Sequence, residues 1–188
     1  MAANLESQRM QRLSYRHLIK GNDFIMEIEK KFKIKNLPDN LSQYESKKIE
    51  QGYLCTDPVV RIRRSNDRYI LTYKSKIVDE HADKEGVRIN NEIEVPLTRE
   101  GYEHLREKTD DNLIEKIRYI IPLSDGHKGE LDVFGGKLQG LYFIEVEFSD
   151  EEDADVFVPP EWFGENVSDD KRYTNSFLSK CENLDVFL

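Results

Sequence analysis

The chain of 188 residues is poor in cysteine and has no long hydrophobic run. Its two cysteines, Cys55 and Cys181, are too few for a disulfide framework and have no metal-binding spacing, which predicts a reducing, cytoplasmic location. No apolar stretch approaches the roughly 20 residues that a membrane-spanning helix needs, and no signal peptide is recognised. These absences argue against disulfide-rich secreted proteins and helical membrane proteins.

Basic residues are also in deficit. Lys and Arg total 28 against 37 Asp and Glu, which gives a formal net charge of -9. A chain this acidic is not expected to bind nucleic acid or an anionic membrane through its overall charge. An anionic ligand would therefore have to be bound by a local concentration of basic side chains.

What the chain has in excess is charge: 35% of its residues are charged, against about a quarter in an ordinary globular protein. Its 9 Phe, 9 Tyr and 1 Trp can still supply a hydrophobic core. The length suits one domain, which we place at residues 26–188. Residues 1–25 differ in character and are predicted to be an extension, either helical or disordered.

Alternation of apolar and charged residues predicts a strand-rich fold. In the stretch MEIEKKFKI (26–34), Ile28 and Phe32 point to one side while Glu27, Glu29 and Lys31 point to the other, as in a half-buried strand. Similar patterns predict strands at 49–55, 59–65, 68–76, 87–95, 113–121, 129–135 and 141–149. The order predicts an α+β fold or a closed barrel, with about eight antiparallel strands and a few peripheral helices.

The segments between these strands predict few helices. Residues 37–48 are interpreted as a turn with a short helix. Thr98 is expected to cap a helix that ends near Lys108, and Ser149 with Glu152 forms a predicted capping box. A last helix is predicted to begin at Ser168.

The charged faces of the strands are sorted by sign. Acidic residues recur as Glu27 with Glu29, Glu92 with Glu94, Glu130 with Asp132, and Glu145 with Glu147, while basic residues recur as Arg61 with Arg63 and Lys116 with Arg118. Residues i and i+2 of a strand lie about 6.5 to 7 Å apart on one face, so each pair places like charges side by side. A plain solvated sheet face, which remains the alternative, would carry a looser mixture. The repeated pairs instead suggest that ligands neutralise them.

The chemistry of such ligands follows from the side chains. Carboxylates suit Mg²⁺ or Mn²⁺, which prefer oxygen ligands and share them with substrate phosphates. Arginine offers two parallel donors to phosphate oxygens, and lysine adds a point charge. A closed barrel of eight strands has an interior that suits one small ligand.

These residues also carry a resemblance to a known family. The stretch EIEKK (27–31) matches the E-x-E-x-K signature of the CYTH superfamily, the triphosphate tunnel metalloenzymes. The similarity continues in order through QGYL, RIRR, LTYKSK, NEIEV, EKIRY, GELDVF, IEVEF and PPEWFGENVSDDKRYTNSFL, over about residues 26 to 180. The chain most resembles the small bacterial single-domain members that hydrolyse inorganic triphosphate.

The resemblance implies an eight-stranded antiparallel barrel that binds a triphosphate with one or two Mg²⁺ or Mn²⁺ ions. It implies phosphate-binding roles for Arg61, Arg63, Lys74, Lys116 and Arg118, and adds Arg88 and Arg172. It implies metal ligands at Glu27, Glu29, Glu92, Glu94, Glu145 and Glu147, with Glu130 and Asp132 as further acidic residues. By the same resemblance, Lys31 and Tyr53 position or activate an attacking water.

The expected function is metal-dependent hydrolysis of inorganic tripolyphosphate, with a small-molecule triphosphate as the partner and a monomer or homodimer as the assembly. Two alternatives stay open within the superfamily, an adenylate cyclase and a thiamine or nucleoside triphosphatase. A non-catalytic module that binds polyphosphate is a further alternative.

Overall fold

The computed structural model describes residues 25–76 and 85–187, which include every predicted strand. The predicted extension lies outside the described residues except for Ile25, which begins the first strand. Within these residues, no helix is both long and apolar enough to cross a bilayer.

Nine strands form one antiparallel sheet. They are β1 (Ile25–Ile34), β2 (Glu45–Thr56), β3 (Val59–Ser65), β4 (Arg68–Lys76), β5 (Arg88–Pro96), β6 (Ile114–Pro122), β7 (Lys128–Phe134), β8 (Tyr142–Phe148) and β9 (Phe163–Asn166). The helices are α1 (Arg99–Arg106), α2 (Glu151–Val156) and α3 (Asn175–Leu178), with 3-10 turns at Leu41–Gln43, Gly136–Leu138, Lys171–Tyr173 and Asp185–Phe187.

Strand β1 closes the sheet into a barrel. The order runs β5-β4-β3-β2-β6-β7-β8-β1, and β1 also pairs with β5. The first part of β1 pairs with β5, with Glu29 opposite Arg88, whereas its last part pairs with β9, with Phe32 opposite Asn166. Eight strands therefore form the closed wall, as predicted, and β9 adds a ninth outside it.

The second strand is longer than predicted. It begins at Glu45 rather than at residue 49, because residues 45–48 pair with β6. Gly52 within this strand meets the chain that follows α1, where an added Cβ would lie 2.5 Å from Thr109 and 2.7 Å from Leu113. Only glycine allows that close approach.

The two internal helices begin near the predicted residues. The Thr98 side chain accepts a hydrogen bond from the Gly101 N–H at 3.0 Å, which confirms the predicted cap of α1. Helix α2 is capped one residue later than predicted: Asp150 accepts from the Asp153 N–H at 2.8 Å, and Asp153 accepts from the Ser149 N–H at 3.0 Å.

The helix predicted from Ser168 is wrong as one continuous element. The chain forms only the Lys171–Tyr173 turn and then α3, which Thr174 caps. The reason is that residues 167 and 168 extend the edge of β1: the Val167 N–H donates to the Lys31 carbonyl at 2.8 Å, and the Ser168 hydroxyl accepts from the Lys31 N–H at 2.9 Å.

Most of the hydrophobic core lies outside the barrel wall. Since the inner face is charged, the apolar side chains of β1, β7 and β8 point outward and are covered by α2 and the chain that follows it. This cluster includes Phe32, Leu131, Ile144, Phe157 and Phe163. Each large side chain buried in this way contributes about 1.5 to 3 kcal/mol. The outward packing holds the charged inner face in place.

Candidate active site

The inner face of the barrel collects nearly all of the sign-sorted residues. Residues that are directly opposite in adjacent strands share a face, and the register links Glu29 with Glu147, Lys31 with Glu145, and Arg118 with Asp132. The same rule places the other charged pairs on this face. We call the end that carries Arg63, Glu94, Glu130 and Glu147 the mouth, because exposure rises towards it.

Lys31 lies deep in the lumen and is held by several groups. Its side chain is 2% exposed, and its ammonium is 2.7 Å from the Glu145 carboxylate. The same ammonium donates to the Tyr173 carbonyl at 2.9 Å and lies 4.7 Å from the centre of the Phe143 ring. Lys31 is therefore a fixed buried cation rather than a mobile one.

Tyr53 has its hydroxyl fixed by a neighbour on the same face. The Gln51 side-chain amide donates to the Tyr53 hydroxyl oxygen at 3.1 Å. Both residues are buried, and burial raises the pKa of Tyr53 although Arg61 and Lys74 oppose the shift. The phenol thus stays protonated and keeps its own O–H to donate.

The two arginines of β3 each pair with one carboxylate of β5. Arg61 lies 3.4 Å from Glu92, and Arg63 lies 2.7 Å from Glu94. Each guanidinium also has a buried Nε–H that has no hydrogen-bond partner among the described residues. Two buried charged donors on one face are thus left to be satisfied by an acceptor that this part of the chain does not supply.

Lys74 joins β4 to the acidic residues of β1 and β5. Its ammonium forms an ion pair with Glu27 and lies 3.4 Å from Glu92. Burial would lower the pKa of Lys74, but Glu27, Glu29 and Glu92 together raise it well above its usual value.

On the other side of the lumen, Arg118 is bound by three carboxylates. It pairs with Glu130, lies 2.6 Å from Asp132 and lies 2.5 Å from Glu145. Lys116 lies 2.5 Å from Asp132, and burial lowers its pKa to about 8, with Asp132 opposing the shift. Burial acts against the charge of Glu145, but Lys31, Arg118 and Lys116 hold its pKa well below its usual value.

Two acids on this face have raised pKa values. Burial and the neighbouring Glu145 raise the pKa of Glu29. Partial burial, Glu130 and Glu27 raise the pKa of Glu147 to about 7, although Glu147 lies at the mouth and is exposed. Carboxylates that repel one another in this way would each be stabilised by a bound cation.

The two remaining predicted arginines differ. Arg88 lies 4.0 Å from Glu29, and its guanidinium donates to the backbone carbonyls of Ser168 and Asp170. Arg172 instead lies 2.7 Å from Asp170 and is about half exposed, and within the described residues its side chain donates to Asp170 and to the Val186 carbonyl. The structure therefore brings Arg88 to the charged face but does not bring Arg172 there.

The predicted site omits two residues of the inner face, Lys47 and the Gln51 that fixes the Tyr53 hydroxyl. Lys47 is the register partner of Arg118 on β2 and is half-buried between the exposed Ser46 and Lys48. The sequence analysis places Lys47 in the predicted turn at residues 37–48. The strand period of two could have identified Lys47, because counting back from Tyr53 in steps of two residues gives Gln51, Ile49 and then Lys47 on the same face.

Comparison with known proteins identifies close relatives. A scan against protein-family models found no match. The chain is 39% identical over 156 residues to an inorganic triphosphatase from Nitrosomonas europaea, covering 81% of this chain and 96% of that protein. It is 36% identical over 159 residues to an inorganic triphosphatase from Acetivibrio thermocellus, covering 82% of this chain and 93% of that protein.

A solved structure gives the same result at the level of the fold. The crystal structure of an inorganic triphosphatase matches with a TM-score of 0.60 and 35% sequence identity, covering 84% of this chain and 96% of that chain.

Proposed function

This chain belongs to the inorganic triphosphatases of the CYTH superfamily, and from that membership and its inner face we infer that it hydrolyses inorganic tripolyphosphate to pyrophosphate and phosphate. The substrate would lie inside the barrel, between the acidic and basic side chains.

The observation that carries this proposal is the pair of unsatisfied donors on Arg61 and Arg63. Their buried Nε–H groups point to an anionic acceptor, and phosphate oxygens match the planar guanidinium in charge and geometry. Lys74, Arg88, Lys116 and Arg118 add positive charge around the same lumen. A chain of phosphoryl groups is the ligand that meets several such cations at once.

The donor set also fits a divalent cation that binds together with the substrate. Glu27, Glu29, Glu130 and Glu147 offer oxygen ligands, and the mutual repulsion that raises the pKa values of Glu29 and Glu147 would be relieved by a cation. No three such side chains in the described ranges are already arranged to hold an ion. Mg²⁺ commonly takes one or two carboxylates and completes its shell with substrate phosphates and water. When bound, the ion would neutralise phosphate charge and help to activate water.

Chemistry then depends on positioning and on charge stabilisation, because phosphoryl transfer leaves little covalent work to the protein. We propose that the Tyr53 O–H, fixed by Gln51, orients the attacking water. Lys31 is held by Glu145 and the Tyr173 carbonyl, so its charge stays close to the reacting phosphate. Arg61 and Arg63 would stabilise the negative charge that develops as the anhydride bond breaks.

The mouth favours an inorganic substrate over a nucleotide. Its lumen-facing side chains are charged or aliphatic, namely Lys47, Arg63, Ile70, Glu94, Ile120, Glu130 and Glu147. None of these is aromatic, so this part of the described chain offers no ring for a base to stack on.

The experiment is phosphate release from tripolyphosphate, ATP and thiamine triphosphate, each with Mg²⁺ or Mn²⁺. We expect the highest kcat/KM for tripolyphosphate and no release without a divalent ion. Faster conversion of ATP to cyclic AMP would identify a cyclase instead. Binding of tripolyphosphate without turnover under any ion would identify a binding module.

The finer assignments are proposals as well. We propose one catalytic domain at residues 26–188, with residues 1–25 as an extension, in a reducing cytoplasm. The free thiols of Cys55 and Cys181 support the compartment. A monomer or homodimer stays the prediction for the assembly, which sedimentation analysis would decide.

A further inference from the structure

A groove on the outside of the barrel has apolar side chains that the described chain leaves uncovered. It has a volume of about 470 Å³ and lies between the turn that joins β6 to β7 and the chain that follows α2. Val156 and Val158 border it and are 69% and 79% exposed, more than any other large hydrophobic residue in the described ranges. Pro159 and Pro160 extend the same rim. Adjacent apolar side chains that are exposed to this degree indicate a surface that binds another segment.

The rim of this groove is acidic as well as apolar. Asp125 and Glu161 line it, and Asp153 lies beside it, because the His127 imidazole is 3.1 Å from both Asp125 and Asp153. Among the described residues that line the groove, none is a lysine or an arginine. A segment that carries both apolar and basic side chains would therefore match this surface.

The first 24 residues of the chain have this composition. They carry four basic residues against two acidic ones, in a chain whose net charge is -9. The basic residues are Arg9, Arg12, Arg16 and Lys20. Met10, Leu13 and His17 recur at intervals of three and four residues, which is the spacing of one side of an amphipathic helix.

The groove lies close to the point at which this segment joins the barrel. Ile25 begins β1, and Ile28, three residues later, is opposite Phe148. The Phe148 ring is 5.3 Å from the ring of His127, which lines the groove. Three residues of strand span about 10 Å, so the segment before Ile25 is long enough to reach the groove even as a helix.

We propose that residues 1–24 dock in this groove. Leu13 and the other apolar side chains of the segment would pack against the exposed valines, and its arginine side chains would lie beside Glu161. The docking does not depend on the proposed function, because Phe157, which lines the groove, belongs to the core outside the barrel wall.

The test is a double-mutant cycle in the full chain that combines Leu13→Asp with Val158→Asp. We expect each single change to lower the melting temperature by about 3 °C, because each removes the same apolar contact. The double variant should melt at nearly the same temperature as either single variant, since that contact can be lost only once. Far-UV circular dichroism of all three variants should match that of the parent chain.

Two controls separate this contact from general effects of an added charge. Val95→Asp is the control on the surface, because Val95 is also exposed but lies on β5 opposite Leu71, and β5 contributes no residue to the groove. Its effect should add to that of Leu13→Asp. Gln8→Asp is the control within the segment, because the helical period places Gln8 opposite Met10. It should melt at the temperature of the parent chain.

Three results would overturn the proposal. In the first, Leu13→Asp melts at the temperature of the parent chain. In the second, the effects of Leu13→Asp and Val158→Asp add, so that the two side chains do not meet. In the third, sedimentation analysis shows a dimer that Val158→Asp dissociates and Leu13→Asp does not, so that a second copy of the chain covers the groove.

Discussion

The Lys31 ammonium and the Glu145 carboxylate lie 2.7 Å apart between opposing residues of β1 and β8, and both side chains are buried. Glu145 keeps a second partner, since Arg118 lies 2.5 Å from its other oxygen. The pair thus joins the lysine of the E-x-E-x-K signature to the cluster around Arg118.

Replacing Lys31 tests both its positional and its electrostatic role. We expect Lys31→Met to lower kcat about 100-fold or more, because its charge near the reacting phosphate is lost. The free energy of unfolding should fall by about 2 to 3 kcal/mol. This loss is smaller than the loss expected when a buried carboxylate is left with no partner, because Arg118 still neutralises Glu145. Adding Glu145→Gln should recover part of the stability but none of the activity, as measured by urea unfolding and phosphate release. Full kcat in Lys31→Met would contradict this role.

Removing Arg61 should weaken substrate binding more than it weakens the fold. We expect Arg61→Ala to raise KM for tripolyphosphate about tenfold or more, since a charged bidentate donor is lost. Glu92 would keep Lys74 at 3.4 Å and a buried unsatisfied N–H would be removed, so the free energy of unfolding should fall by less than the about 3 to 5 kcal/mol of a buried pair that loses its only partner. Arg64→Ala is the matched control, because Arg64 is adjacent and on the outer face opposite Tyr69. Equal KM values for the two variants would exclude Arg61 from the binding site.

Metal and substrate should bind cooperatively, because the described acids do not form a complete site by themselves. We expect the Kd of Mn²⁺, measured by titration calorimetry, to fall at least about tenfold when hydrolysis-resistant imidotriphosphate is present. Glu29→Gln should remove most of that gain and abolish turnover. Equal Mn²⁺ affinity with and without the analogue would argue for a preformed metal site instead.

The metal-free protein should become more stable as the pH falls through neutrality. The pKa of Glu147 is raised to about 7 from 4.5, so the folded state holds this proton more tightly than the unfolded state does. Its contribution is fully present below pH 4.5 and is lost as the pH rises through 7. Glu147→Gln should therefore melt at a higher temperature than the parent chain at pH 8, and this difference should shrink towards pH 5.

The control for this prediction is Glu115→Gln, because Glu115 is exposed on the outer face of β6. Its melting temperature should follow that of the parent chain at each pH. A Glu147→Gln variant that melts no higher than the parent at pH 8 would show that Glu147 is not repelled by Glu130 and Glu27. Chelator must be present in both measurements, since a bound cation would remove the repulsion.

The strands and their charged faces could be predicted because the period of a strand is a local property, whereas closure into a barrel was chosen over an open α+β fold only through the resemblance to the CYTH superfamily. In β1, Glu27, Glu29 and Lys31 alternate with apolar residues, and the structure places all three in the lumen. The strands β3 and β4 also begin and end at the predicted residues. Shifting the register of a strand by one residue would turn its apolar side chains into the lumen and its charged side chains into the outer core. The pattern therefore allowed only one choice of inner and outer face.

Lys47 and the C-terminal segment depended on distant partners. Residues 45–48 become strand only because β6 provides matching hydrogen bonds, and Ser168 leaves a predicted helix because its hydroxyl binds the Lys31 backbone. Arg172 turns to Asp170, which lies in the same turn and captures its guanidinium at 2.7 Å. No local pattern in the sequence contains these competing contacts.

The sequence alone determined that acidic and basic side chains share one face of each antiparallel strand, because alternation and sign are both written residue by residue. Only the tertiary structure decided which charges compensate each other and which do not. Among the described residues, Arg61 and Arg63 keep unsatisfied donors because barrel closure fixes the distances between residues far apart in the chain. Electrostatic energy depends on those distances, and order along the chain does not supply them.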